Sequence, residues 1–108
     1  MSYQTINIPL GSFSSYTDEE LEARLEIGAV HFRYMMVTDT DTHSPGEIRD
    51  AYGTRNLSMS MIDPDKIPSG ARTPPRHVLT YFDIDRRAWR CCDRGFIIEI
   101  DPRIAIEL

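Results

Sequence analysis

Residues 77–101 read HVLTYFDIDRRAWRCCDRGFIIEID, and this stretch decides the fold. Runs rich in aromatic and β-branched residues are separated in it by short runs of charged residues and glycine, which is typical of antiparallel strands joined by turns. The turns are predicted at Ile84–Arg87 and at Asp93–Gly95. The predicted strands are His77–Asp83, Ala88–Cys92 and Phe96–Asp101.

A second predicted hairpin lies upstream of this stretch. From Ala29 the apolar residues recur at every second position, which places them on one face of a strand. Residues 39–46, DTDTHSPG, have the composition of a turn, and Glu47–Thr54 is the predicted return strand. The apolar face of the first strand carries Val30, Phe32, Tyr34 and Met36.

The N-terminal 27 residues predict one edge strand and one short helix. Apolar residues alternate over residues 6–10, and Pro9 places that strand at a sheet edge. Thr17 followed by Glu20 has the spacing of a capping box, which predicts the N-terminus of the helix. Two leucines four residues apart give this helix one apolar face, and Gly28 is predicted to end it in the left-handed conformation.

The segment between the two hairpins predicts little regular structure. Asn56–Ile62 alternates like a strand but is broken at once by Asp63–Arg76, an irregular loop that holds four of the seven prolines. About five short strands with close turns and a single helix predict a mainly β domain, a small, partly open barrel of the SH3, Sm or OB kind. One helix is too few for the crossovers of an α/β sheet.

Length and composition exclude several classes of protein. A chain of 108 residues with 41% hydrophobic and 27% charged residues predicts one soluble domain. No apolar run approaches the ~20 residues that span a bilayer, and no signal peptide opens the chain, so a cytoplasmic location is expected. Cys91 and Cys92 are adjacent and alone, which excludes a disulfide framework and a four-ligand zinc site. No metal, cofactor or catalytic constellation is predicted, so we expect a protein that is not an enzyme.

Charge is unevenly distributed along the chain. Residues 1–48 carry a net charge of −6 and residues 72–94 a net charge of +3, within an overall −5. Eleven of the twelve cations are arginine, whose planar guanidinium pairs with phosphate and stacks on aromatic rings. Small barrels hold single strands with such arginines and aromatics, so this segment predicts a site for nucleic acid or a nucleotide. The predicted ligand-binding residues are Arg72, Arg76, Arg86, Arg87, Arg90, Arg94, Tyr81 and Trp89.

Alternatives stay open from the sequence. Core packing of Trp89 and Phe82 beneath a rim of solvated arginines is an alternative, and a single tryptophan in a small barrel usually packs in the core. The acidic helix face, or an exposed strand edge, is compatible with a protein–protein adaptor or inhibitor instead of a nucleic-acid binder. Homo-oligomerisation through edge strands is compatible with either function. The predicted partner-binding residues on the helix are Asp18, Glu19, Glu22 and Glu26.

Three motifs carry a resemblance to a known family. They are GAVHFRY (28–34), IRDAYGTRNL (48–57) and VLTYFDIDRRAWR (78–90). Together they resemble the second WYL-type family of small domains, and the Tyr81–Arg90 hairpin is the most specific part. The resemblance implies an Sm-like SH3 β-barrel over 28–101 of a single domain, preceded by an N-terminal addition over 1–27. It also implies a binding role and an origin in phages or mobile elements.

Overall fold

The computed structural model describes residues 2–36, 46–68, 71 and 76–108. Within them the chain forms six β-strands and one α-helix, together with two short 3-10 turns at Pro64–Lys66 and Arg94–Phe96. In chain order the main elements are β1 (Tyr3–Asn7), α1 (Thr17–Ile27), β2 (Ala29–Met35), β3 (Ile48–Thr54), β4 (Val78–Asp83), β5 (Ala88–Asp93) and β6 (Ile97–Glu107).

The six strands form one antiparallel sheet in the order β1-β6-β2-β3-β4-β5. The ladder is shortest between β3 and β4, which share only the pairs Gly53–Asp83 and Thr54–Phe82. The structure confirms the prediction of a mainly β, partly open architecture with one helix, with six strands where about five were predicted. The core contains Leu21, Leu25, Val30, Phe32, Tyr34, Ala51, Leu79, Tyr81, Cys92, Ile100 and Ile104.

Both predicted hairpins are present. Strands β2 and β3 pair from Val30–Gly53 to Met35–Ile48, and the predicted turn between them lies outside the described residues except for Gly46. Strands β4 and β5 pair along their whole length around the turn at Ile84–Arg87. Burial alternates along β2, where Phe32 and Tyr34 are buried and His31 and Arg33 are exposed, because successive side chains of a strand point to opposite faces of the sheet.

Helix α1 packs its two leucines, Leu21 and Leu25, into the core with no exposed surface. The helix begins at Thr17 and ends before Gly28, as predicted, but neither end is capped in the predicted way. The residue before the helix is Tyr16, without a side-chain cap, and Gly28 has φ −174°, which is extended rather than left-handed. Gly28 is needed for a different reason: a Cβ there would lie 2.2 Å from the carbonyl oxygen of Ala105 on β6. Close approach of the chain to β6, and not a left-handed conformation, therefore explains the glycine at the end of the helix.

Strand β6 continues beyond Asp101, where the predicted strand ends. Two register shifts interrupt its pairing with β2, and in the larger one Asp101–Arg103 face the single residue His31. Pro102 lies in this bulge, where a missing N–H costs no ladder bond. Its carbonyl oxygen accepts a 3.0 Å hydrogen bond from the N–H of Ile8, and the second half of β6 pairs with β1.

The segment Asn56–Ile62 forms turns rather than a strand. The Asn56 side chain accepts a hydrogen bond from the N–H of Ser58 at 3.0 Å and donates one to the carbonyl of Ile27 at 3.0 Å. Met59 and Ile62 are buried. The alternation in the sequence thus reflects a loop that buries every second or third side chain against the sheet.

Candidate ligand-binding site on the β4–β5 hairpin

Most arginines in the described part of the chain are held by a carboxylate. Six of them have a carboxylate oxygen within 3.6 Å, and three have none: Arg76, Arg86 and Arg87. Arg90 is intermediate, at 3.8 Å from Asp83. The six paired arginines are Arg24, Arg33, Arg49, Arg55, Arg94 and Arg103.

Two of the uncompensated arginines form the tip of the β4–β5 hairpin. Arg86 and Arg87 are exposed and adjacent in the turn. Arg87 has φ 52°, the one positive φ among the described residues other than glycine. A turn position of this kind favours glycine or asparagine, because a side chain in the left-handed region costs about 1 kcal/mol. An arginine is therefore placed here against the local backbone preference.

Arg90 on β5 shares the carboxylate of Asp83 with Arg49. The Asp83 side chain is 3% exposed, and its Oδ2 lies 3.1 Å from Nη2 of Arg49 and 3.8 Å from Nε of Arg90. Its Oδ1 accepts a 3.1 Å hydrogen bond from the N–H of Arg86. One negative charge thus serves two guanidinium groups. The Arg90 side chain remains 38% exposed, and its buried Nε has no hydrogen-bond partner among the described residues.

Tyr81 belongs to the core and not to the surface site in which the sequence placed it. Its ring has no exposed surface, and its hydroxyl lies 3.0 Å from that of Tyr34. Burial raises the pKa of both tyrosines, so both hydroxyls stay protonated. Tyr81 faces inward with Leu79 and Asp83, because these residues alternate along β4. Its ring has no face on which a base could stack.

Trp89 is partly exposed on the outer face of β5. Its ring contacts that of Phe82 edge to face, with 5.6 Å between the centroids. It forms a wall of two cavities, of about 180 Å³ and about 340 Å³, that Ala71 also lines. The larger cavity is also lined by Arg90. Trp89 thus packs against Phe82 and also borders two cavities. The structure therefore contains features of both interpretations of Trp89, core packing and an exposed binding surface.

The remaining predicted ligand-binding arginines are dispersed. Arg94 is 19% exposed and lies 2.8 Å from Glu22 and 3.8 Å from Asp18 on α1, so its charge is neutralised within the domain. Arg76 is exposed just before β4. Arg72 lies outside the described residues.

The acidic residues predicted to bind a partner are largely engaged with the domain itself. Glu22 and Asp18 hold Arg94, and Glu26 lies 3.1 Å from Arg55. Glu19 accepts a 2.9 Å hydrogen bond from the hydroxyl of Ser14. The outward acidity of α1 is therefore smaller than the sequence count indicates.

The two cysteines point to opposite faces of β5, as the sequence predicts. Cys91 is exposed, whereas Cys92 is buried in the core. Burial raises the pKa of the Cys92 thiol to about 12, so it is protonated and unreactive at neutral pH. No group of three histidine, cysteine or acidic side chains in the described ranges could hold a metal ion. No helix in those ranges is long and apolar enough to cross a membrane.

The sequence reading missed two residues of this site, Arg49 and Asp83. The signal was present, because Arg49 shares one face of β3 with Ala51, and Asp83 shares one face of β4 with Leu79. Each is the polar member of an inward-facing row. Two inward-facing residues of opposite charge on neighbouring strands predict a buried ion pair.

These features define a class: a small antiparallel β-barrel domain, consistent with a binding module, whose hairpin turn carries uncompensated arginines. A family model described as WYL_2, Sm-like SH3 beta-barrel fold, matches residues 19–95. The chain belongs to the WYL_2 family, as the motifs of the two hairpins indicate. Comparison with curated proteins and with solved structures gave no significant match.

Proposed function

We propose that this protein is a non-catalytic module that binds a phosphate-bearing ligand, nucleic acid or a nucleotide, on its β4–β5 hairpin. The single observation that carries the proposal is the concentration of uncompensated arginine there. Arg86 and Arg87 have no carboxylate partner in the described part of the chain, and Arg90 shares one. Six other arginines are neutralised at 3.6 Å or less.

The backbone of the turn supports the same function. Arg87 has a positive φ where glycine would be free of strain. Natural sequences keep such local conflicts mainly at functional sites. A guanidinium at this point projects from the tip of a hairpin, where it can reach a phosphate without moving the sheet.

Trp89 supplies the second element of recognition. It lies beside Arg90 in sequence and borders a cavity that Arg90 also lines. Aromatic rings next to arginines let a protein hold a base by stacking and its phosphate by charge. The acidic total of −5 favours a local contact of this kind over coating of a duplex.

The test uses Trp89 as its probe, because it is the only tryptophan in the chain. The protein is purified at low salt, its 260/280 nm absorbance ratio and its mass are recorded, and its emission is then titrated with a short single-stranded oligonucleotide. We expect quenching and an affinity that falls with salt. The double variant Arg86→Ala/Arg87→Gly should bind about tenfold more weakly or worse, with a salt slope smaller by roughly 1.4.

The matched control is Arg33→Ala. It removes one positive charge, where the double variant removes two, from another exposed position, at which Arg33 lies 3.6 Å from Glu99. Its affinity should stay within about twofold of the wild type, since long-range effects are screened by salt. Equal weakening by Arg33→Ala, or no weakening by the double variant, would overturn the proposal.

A second candidate function is docking of a protein on strand β5. In the sheet of the described residues β5 has one neighbour, β4, so its other edge is a template for a further strand. The mass measurement distinguishes the two candidates. A clean protein spectrum with a dimer or larger mass would favour pairing of edge strands over nucleotide binding.

A further inference from the structure

Trp89 separates two cavities, and the smaller one differs in chemistry from the larger. The smaller cavity, of about 180 Å³, has apolar walls from Leu57, Ile67 and Ala71 in addition to Trp89. Among the described residues that line it, the charged ones are Glu26 and Arg55. A narrow apolar space with one polar end is the arrangement that orients a flat polar ring.

The polar end of this cavity is held in a fixed geometry. Arg55 is 14% exposed, and its Nη1 donates a 2.5 Å hydrogen bond to the carbonyl of Thr80. Its Nε donates to Oε1 of Glu26 at 3.1 Å, which holds that carboxylate at the edge of the cavity. The Glu26 carboxylate is 53% exposed, and its Oε2 has no partner among the described residues. Glu26 therefore supplies a hydrogen-bond acceptor at the polar end of the cavity.

We propose that this cavity binds an unpaired guanine base, stacked on Trp89 with its N1–H and N2–H groups donating to Glu26. The inference rests on the proposed function and deepens it by naming the base. An ionised carboxylate can only accept hydrogen bonds, so it selects a base edge that presents donors. The Watson–Crick edge of guanine presents two adjacent N–H donors, and stacking on an aromatic ring is open to any base.

The source of the base is a single strand rather than a duplex or a free nucleotide. In a duplex the Watson–Crick edge is paired and cannot reach Glu26. The arginines point the same way, since Arg86, Arg87 and Arg90 lie on one hairpin together with Trp89 and offer more positive charge than one phosphate needs. A strand that crosses Trp89 would place its neighbouring phosphates along this hairpin.

The experiment compares three ligands by quenching of Trp89 emission: a short oligothymidylate, the same strand with one central dG, and guanosine monophosphate. We expect the dG strand to bind about tenfold more tightly than oligothymidylate, the range of one good base contact. Glu26→Gln should remove that preference, so that this variant binds the dG strand and oligothymidylate with equal affinity. Glu26→Gln keeps an oxygen for Arg55, so we expect it to fold, and a thermal melt checks this.

The control variant is Glu19→Gln, which makes the same charge change on the same helix. Glu19 contacts Ser14 and does not line the cavity. This variant should keep the preference for dG. Loss of that preference in Glu19→Gln, its persistence in Glu26→Gln, or its absence in the wild type would overturn the guanine site. Binding of guanosine monophosphate as tightly as the dG strand would overturn the single-strand assignment. The proposed function fails separately, if no strand binds or if Arg86 and Arg87 do not contribute.

Discussion

The junction of α1 with β1 and β6 and the tip of the β4–β5 hairpin use the same residue type in opposite ways. At the junction, Arg24 has no exposed surface, and its guanidinium donates to Glu20 and to the carbonyls of Ile8 and Pro9 at 2.6–2.9 Å. At the hairpin, Arg86 and Arg87 are exposed and have no acidic partner in the described chain. An arginine whose donors are filled internally contributes stability, and one whose donors are open can contribute affinity.

Composition alone does not distinguish an arginine that stabilises the domain from one that is open to a ligand. Burial of Arg24 is tolerable only because a carboxylate and backbone carbonyls replace its water, including a longer contact to Pro102 at 3.4 Å. The ring of Phe13 adds a cation–π contact at 5.2 Å. Removal of an arginine should therefore affect stability at one region and binding at the other.

The largest effect is expected for Arg24→Ala. The substitution leaves the Glu20 carboxylate, which is in a residue only 7% exposed, without its cation, and it leaves backbone carbonyls without their donor. Breaking a buried ion pair in this way costs about 3–5 kcal/mol of the free energy of unfolding. Urea unfolding followed by far-UV circular dichroism measures it.

The control for Arg24→Ala is Arg86→Ala, which we expect to change stability by less than about 0.5 kcal/mol. If Arg24→Ala does not fold, Glu20→Gln tests the same pair with a smaller loss. A cost below about 1 kcal/mol in both variants would show that water replaces the internal partners, and the contrast between the two regions would then not hold.

A smaller effect, about 1 kcal/mol, is expected for Arg94→Ala. Arg94 joins the end of β5 to α1 through Glu22, and it is only 19% exposed. We expect this variant to lose stability and to bind the oligonucleotide within about twofold of the wild type. Arg86→Ala should show the reverse. Strong loss of binding by Arg94→Ala would return Arg94 to the ligand site in which the sequence placed it.

The fold was predictable from the sequence where local periodicity determines it. Alternation of apolar residues located β4 and β5 within a residue of their observed ends and located the start of β2 at Ala29. Local periodicity wrongly predicted that the last strand ends before Pro102, because a bulge accommodates the proline. The carbonyl of Pro102 accepts a hydrogen bond from Arg24, 78 residues away. The left-handed conformation predicted for Gly28 is wrong for the same reason, since the close contact is with Ala105. Long-range contacts of this kind leave no local signal.

The candidate site was predictable as a segment but not as a set of side chains. Richness in arginine and aromatic residues pointed to the β4–β5 hairpin. The partner of Arg94 lies 72 residues away, so its neutralisation could not be read from spacing. The inward direction of Tyr81 was present in the alternation with Leu79 and Asp83. The sequence therefore indicates which face of a strand each side chain lies on. Only the structure shows which carboxylate each arginine contacts.

The smallest effect is expected for an arginine that is paired with a carboxylate at the surface. The side-chain hydrogen bond from Arg103 holds the pKa of Asp101 to about 2, below its ordinary 3.8. Because the folded-state pKa is lowered, the stabilisation is present above the ordinary pKa and is lost as the pH falls through about 2. Arg103 is 69% exposed, so solvent screens the pair and we expect a small stabilisation.

The measurement compares urea unfolding of the wild type and Asp101→Asn at pH 5 and near pH 2. The wild type should be slightly more stable at pH 5, and the difference should vanish near pH 2, where Asp101 is losing its charge. Glu99→Gln is the control, because Glu99 is 66% exposed and lies 3.6 Å from Arg33, so no difference is expected at either pH. A difference for Asp101→Asn that persists near pH 2 would show that the bulge at Asp101–Arg103 depends on its hydrogen-bond geometry and not on charge. Arg103 would then belong with Arg24 as a structural arginine, despite its exposure.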